Sequence, residues 1–166
     1  FPLKLIGTAL AAGLLSLSAG CSADSGGNAS ASSTPAARIA VTIHTATGTH
    51  VFNAEAARTP AEQERGYMYR TDLGPESAML FAPYPPEGGA PREATFWMKN
   101  TPTSLDILFI RADGTIARIA EDAVPYSEDR IPSGEPIAAV LEIVGGRSAE
   151  LGIAEGDRVT WPGQGR

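Results

Sequence analysis

Six polar residues interrupt otherwise apolar runs in this chain, and their types could do chemistry: Arg65, Arg70, Lys99, Asn100, Asp106 and Glu142. Gathered round one cleft, Asp106 or Glu142 would serve as a general base, and the basic side chains would hold an anion. Two carboxylates placed close together would shift one of them towards neutrality. The same residues have a plainer use. An isolated charge in a dry interior is prohibitively costly, so each must pair or open onto water. A hydrogen-bonded ion network sealing one end of the fold would satisfy them all, with Asn100 and Thr101 serving turn backbone groups. Nothing in the pattern establishes catalysis.

Glu142 is the sharpest case, because it stands among Val140, Leu141, Ile143 and Val144 with no charge beside it. A base must reach it from elsewhere, and Arg65 or Arg70 is the expected partner. Folding "TFWMKN" back on "LDILF" about Pro102 and Thr103 sets Lys99 opposite Asp106, and Asp106 opposite Glu121. Trp97 either fills core or walls a sugar or aromatic ligand. Gly145-Gly146 before a short helical stretch offers amides to an anion, a weak signal. No glycine-rich phosphate loop, metal-ligand cluster, or Ser-His-Asp or Cys-His pattern occurs at useful spacing, so no cofactor and no metal are expected.

The elements that must position these residues are mostly strands. "IAVTIHT" alternates Ile39, Val41 and Ile43 with small or polar residues, the period-two sign of a half-buried strand. With Thr47-Gly48 as the turn centre, His44 faces Val51, and the two histidines fall on opposite faces. Thr59, Pro60 and Glu62 mark a helix start, and Gly66 keeps that helix short. "SAMLFAP" (77–83) reads as a buried strand, and "YPPEGGAPREA" (84–94) as a loop. Asp113-Gly114 marks a hairpin, which puts Leu108 and Ile119 on one face with Trp97. Phe96, Met98, Ile107 and Phe109 take the other. Both faces are apolar, which places these strands centrally. "YSEDRIPSGEP" (126–136) reads as a loop, "IAAVLEIVGG" (137–146) as a strand, "RSAELGI" as one or two helical turns and "GDRVTW" as a closing strand. The class is mainly β: a compact antiparallel barrel or sandwich-like domain with two short helices.

Five stretches, "ERGYMYR", "SAMLF", "FWMKNTPTSLDILFI", "DGTIARI" and "VLEIVGGRSAELGIAEGDRV", resemble in order the domain of unknown function 192 family, over residues 39 to 161. The resemblance implies a compact, mostly β domain with short helices, often found behind a signal peptide, and no established reaction, substrate or cofactor. The chain departs from that pattern at Ala78, where the family usually has Gly, and at Pro102 and Ser104, where the proline has moved by two.

Ahead of this domain, "LIGTALAAGLLSLSAG" (5–20) follows the lone charge Lys4. It is short and rich in small residues for a membrane span, so residues 1–20 read as a signal peptide. The single cysteine, Cys21, closes "LSAGC" and resembles a bacterial lipoprotein site. Its lipid would hold the protein on the envelope membrane, and Ser22 directs it to the periplasmic face of the outer membrane where a cell has two. Residues 21–38 are a Ser/Ala/Gly tether, and 39–162 form one globular domain. The net charge is −6 at pH 7, and loss of Lys4 makes it one unit more negative. Nucleic acid is therefore not an expected partner. The expected role is a lipid-anchored envelope module binding a small polar ligand or another envelope protein. An enzyme using Asp106 and Glu142, or a purely structural accessory domain, are the alternatives.

Overall fold

The computed structural model describes residues 38–165, so the leader, Cys21 and nearly all of the tether lie outside the described residues. The order is β1 (Arg38–Thr45), β2 (Gly48–Ala57), α1 (Pro60–Arg65), β3 (Ser77–Phe81), β4 (Arg92–Phe96), β5 (Leu105–Ile110), β6 (Ile116–Ala123), β7 (Ile131–Ile137), β8 (Ala139–Val144), α2 (Arg147–Leu151) and β9 (Arg158–Thr160). Seven strands form one sheet in the order β6-β5-β8-β3-β2-β1-β9, and β4 pairs with β7 in a second. The large sheet curls until its edges meet. β9 pairs with β1 on one side, and on the other Val159 N–H donates to Gly114 O beside an isolated bridge between Thr115 and Arg158. This is the β-rich, barrel-like domain that the alternation of apolar residues predicts.

Residues alternate between two buried faces. Val41, Ile43, Phe52, Leu80, Leu108 and Leu141 belong to one core cluster, inside the curl. Phe81, Ile107, Phe109 and Val140 belong to a second, on the outer face. Two segments cover that outer face. β2 and β3 are parallel, and parallel neighbours need a long return connection. Here it is α1 and the loop that follows. The β4–β7 sheet is the other cover. β5 and β8, central in the sheet, are thus buried on both faces.

α1 begins as its sequence dictates. Thr59 Oγ1 accepts from Glu62 N–H and the Glu62 carboxylate accepts from Thr59 N–H, a complete capping box. The helix ends at Gly66, whose φ of 45° few other residues adopt.

Three expectations are corrected. Thr45 pairs with Gly48, so the β1–β2 turn centres on Ala46-Thr47 and His44 faces Thr49; the histidines still lie on opposite faces. Residues 131–136, expected as loop, belong with Ile137 to β7, an edge strand paired with β4, where proline is tolerated. "TFWMKN" and "LDILF" do not pair. β4 and β5 belong to different sheets, and Trp97–Ser104 is the link between them. Leu108 with Ile119, and Phe96 and Met98 with Ile107 and Phe109, nevertheless separate into the two clusters as their alternation requires.

Candidate functional site

The six polar residues singled out by sequence do not all converge. Asp106 is fully buried, on the inner face of β5. Its Oδ1 accepts from Asp122 N–H at 2.8 Å and Gly146 N–H at 3.0 Å, and its Oδ2 from Ser148 N–H at 2.7 Å. Across the sheet its register partner is Ile143. The expected Lys99–Asp106 pair is therefore absent, because the turn that would have made it does not form. The Asp106–Glu121 pairing is also lost, since the β5–β6 register shifts between Leu105 and Ile107 and presents Asp122 N–H instead.

Lys99 places its Nζ 4.9 Å from the Trp97 ring centroid, and the Arg130 guanidinium lies at the same distance. Asn100, at a φ of 54°, donates from Nδ2 to Tyr69 Oη at 2.8 Å. Arg70 pairs with Asp72 at 2.7 Å and Glu55 at 3.1 Å, and these carboxylates raise its pKa above the ordinary value. Arg65 is exposed.

Glu142 thus receives neither expected arginine. It lies on β8 between Met79 of β3 and Ile107 of β5, on the face opposite to Asp106, so the two carboxylates cannot act as a pair. Only 5% of Glu142 is exposed, and burial alone pushes its carboxyl up to about 8. Among the described residues no donor reaches its Oε2.

Glu142 also lines a cavity of about 270 Å³ between the β2–β3 crossover and β4. Arg65 and Trp97 also line it, so of the sequence candidates the structure brings together Arg65, Trp97 and Glu142. Its walls include Phe81, Tyr84 and Phe96; Phe96 meets Phe81 edge-on at 5.3 Å and Tyr84 at 6.1 Å. Two further residues that sequence reasoning did not single out line the same cavity, and each carries a buried oxygen without a partner among the described residues. Gln63 donates from Nε2 to Ala57 O at 3.0 Å and Pro83 O at 2.8 Å, leaving Oε1 buried and unpartnered. Tyr67 Oη is likewise buried without a partner. Burial first, then the charges of Glu55 and Glu142, push its phenol well above the usual value.

Gln63 and Tyr67 flank Gly66 at helical spacing in "QERGY". That spacing, across a glycine that ends a helix, is the signal that could have marked them. Native proteins pair nearly all buried polar atoms, so three residues that each carry an unpaired buried oxygen and all line one aromatic-walled cavity mark it as the candidate site.

The profile of the domain of unknown function 192 family, described as uncharacterised, matches residues 42–161. A crystal structure of a protein of unknown function from Novosphingobium aromaticivorans DSM 12444 is 48% identical, covering 75% of this chain and 85% of that one, with a TM-score of 0.70. A putative transcription regulator from Sinorhizobium meliloti 1021 is 43% identical, covering 77% of this chain and 96% of that one, with a TM-score of 0.71. No curated protein matches.

Proposed function

Since the chain belongs to the domain of unknown function 192 family, which prescribes no reaction, we propose its role from the cavity: it is a binding module for a small polar ligand. The observation that carries this reading is that Gln63, Tyr67 and Glu142, each with a buried oxygen unpartnered among the described residues, line one aromatic-walled cavity. Buried polar groups without partners are costly to the fold on its own, and a ligand supplying hydrogen-bond partners would offset that cost. Asp106, by contrast, is fully occupied by backbone amides and belongs to the scaffold. One structural neighbour carries the name of a transcription regulator, but a net charge of −6 gives little attraction for nucleic acid phosphates.

A thermal-shift screen of small polar compounds tests the binding role, because a ligand of the folded state raises the melting temperature. Compounds that stabilise the wild type should stabilise Tyr67→Phe less. Equal stabilisation of both proteins would place their site elsewhere.

The same proposal makes the module an envelope protein anchored by lipid on Cys21. Its support is the leader-like run ending in "LSAGC" and the Ser/Ala/Gly stretch behind it. Cys21→Ala should move the protein from the membrane fraction to the soluble one; unchanged fractionation would remove the anchor from the proposal.

A further inference from the structure

A second cavity, of about 390 Å³, shares no lining residue with the one at Glu142. It is the mouth of the barrel at one rim: its lining comes from the ends of β2, β3, β5 and β9 and from the starts of β1 and β8. Leu80 of the inner core lines it, together with Ile39, Ala82 and Trp161, which pack against that core. Ile39, Ala82, Ala138 and Trp161 are only partly buried, so their apolar surface is open to an entering molecule. Barrel mouths are a recurrent place for small-molecule sites.

No Asp or Glu lines this mouth, but two arginines do. Arg111 is neutralised: its guanidinium pairs with Glu135 and also donates to Thr115 Oγ1 and Ile116 O. Arg58 differs. It is exposed, and its guanidinium has no hydrogen-bond or ion-pair partner among the described residues. The two acids nearest to it in sequence are engaged elsewhere. Glu55 pairs with Arg38 and Arg70, and the Glu62 carboxylate accepts from the backbone N–H groups of Arg58 and Thr59. In a chain of net charge −6, one apolar mouth thus carries an uncompensated positive charge.

We propose that this barrel mouth is a second binding site, for a short aliphatic carboxylate whose chain lies against Ile39, Ala82 and Trp161 and whose anion meets Arg58. A carboxylate is the planar acceptor that a guanidinium matches with two parallel N–H groups. One uncompensated charge also calls for a monoanion, which a carboxylate is at pH 7 and a phosphate monoester largely is not. A neutral chain of the same length gains the apolar contacts without the pairing, and an ammonium meets Arg58 with the same sign. The site is separate from the Glu142 cavity and does not depend on it.

The chain has two tryptophans, Trp97 on the Glu142 cavity and Trp161 on the barrel mouth. Their two indole N–H signals in proton–nitrogen NMR spectra therefore report on the two sites separately, and Trp97→Phe assigns them. Titration of the full chain with hexanoate at pH 7 should move the Trp161 signal and leave that of Trp97 in place. Hexan-1-ol should bind about fivefold more weakly or worse, and hexylammonium more weakly still. The Arg58 side chain makes no bond within the described fold, so Arg58→Gln should keep the wild-type spectrum and bind hexanoate no better than hexan-1-ol. Arg58→Glu should invert the order of hexanoate and hexylammonium. Movement of the Trp97 signal in place of that of Trp161 would put the carboxylate in the other cavity and overturn the proposal. Equal binding of hexanoate and hexan-1-ol, or hexanoate binding that Arg58→Gln leaves unchanged, overturns it as well. A Trp161 signal that stays still up to about ten millimolar hexanoate removes the site altogether and leaves the Glu142 cavity untouched.

Discussion

Glu142 loses its proton near pH 4.5 in an unfolded chain, whereas in the fold burial retains it until about 8. Between those values the native state binds more protons than the unfolded state, so stability falls as pH rises through this window. At 1.36 kcal/mol per unit, the fall from this one group is about 4–5 kcal/mol, a large part of the roughly 5–15 kcal/mol that holds a domain together. The Glu62, Asp72, Asp113 and Glu135 carboxyls are all held below their ordinary values, so their contributions are lost on the acid side instead. Glu142→Gln should therefore flatten the stability profile between pH 4.5 and 8 and leave the variant more stable than wild type above pH 8. Urea melts across that range check it; parallel profiles for the two proteins would mean that Glu142 is already ionised in the fold. An arginine partner would have reversed the sign. The sequence made Glu142 conspicuous through its four aliphatic neighbours, but whether a cation reaches it depends on residues 72–77 positions away along the chain, beyond any local pattern.

At the scale of elements, α2 shows what Asp106 does for the fold. The helix has five residues, and its N-cap, Gly146, has no side chain to cap it; a helix so short is marginal by itself. Asp106 provides the missing acceptor from β5, holding Gly146 and Ser148 N–H together with Asp122 N–H of β6. Asp106→Ala strips three amides of one acceptor and should cost about 3–5 kcal/mol. Lys99→Ala removes a cation–π contact worth about 0.5–1 kcal/mol at a partly exposed site. Denaturant melts of the two variants compare them directly, and an Asp106→Ala loss no larger than that of Lys99→Ala would refute the scaffold role. Features written in adjacent residues were legible in the sequence: the Thr59–Glu62 capping box, the Asp113-Gly114 turn and the alternation that separates Leu108 from Ile107 and Phe109. Pairings between distant segments were not. β4 bypasses β5 for β7, which no turn signal near Pro102 could indicate, and the error carried Lys99 to Asp106. For the cavity, the rule that buried charges need explanation found Glu142, and the strand position of Trp97 suggested a wall. Gln63 and Tyr67 escaped because glutamine and tyrosine in and after a helix look ordinary until the crossover folds them over β8.

The molecule as a whole depends on closing the curled sheet, and β9 does this with three residues. On one side Val159 pairs with Ile43 of β1; on the other its N–H reaches Gly114 O, while Ile116 N–H and O bond Asp157 O and Gly156 N–H. Val159 and Ile116 are both fully buried, so the seam is apolar as well as hydrogen-bonded. Without β9, the β1 and β6 edges would both present unpaired backbone groups, a template for association with another chain. Truncation after Glu155 removes the seam and the burial of Val159 together, and should cost at least about 3 kcal/mol. Size-exclusion chromatography at rising concentration should show the truncated protein associating. No residue of β9 lines the Glu142 cavity, whose lining comes from β3, β4, β8, the crossover, the β3–β4 loop and the link after β4. Binding should therefore fall only in proportion to the folded fraction, with the dissociation constant of the folded molecules unchanged. A truncated chain that stays monomeric and melts like the wild type would show that the seam is ornamental and that the two cores alone hold the barrel.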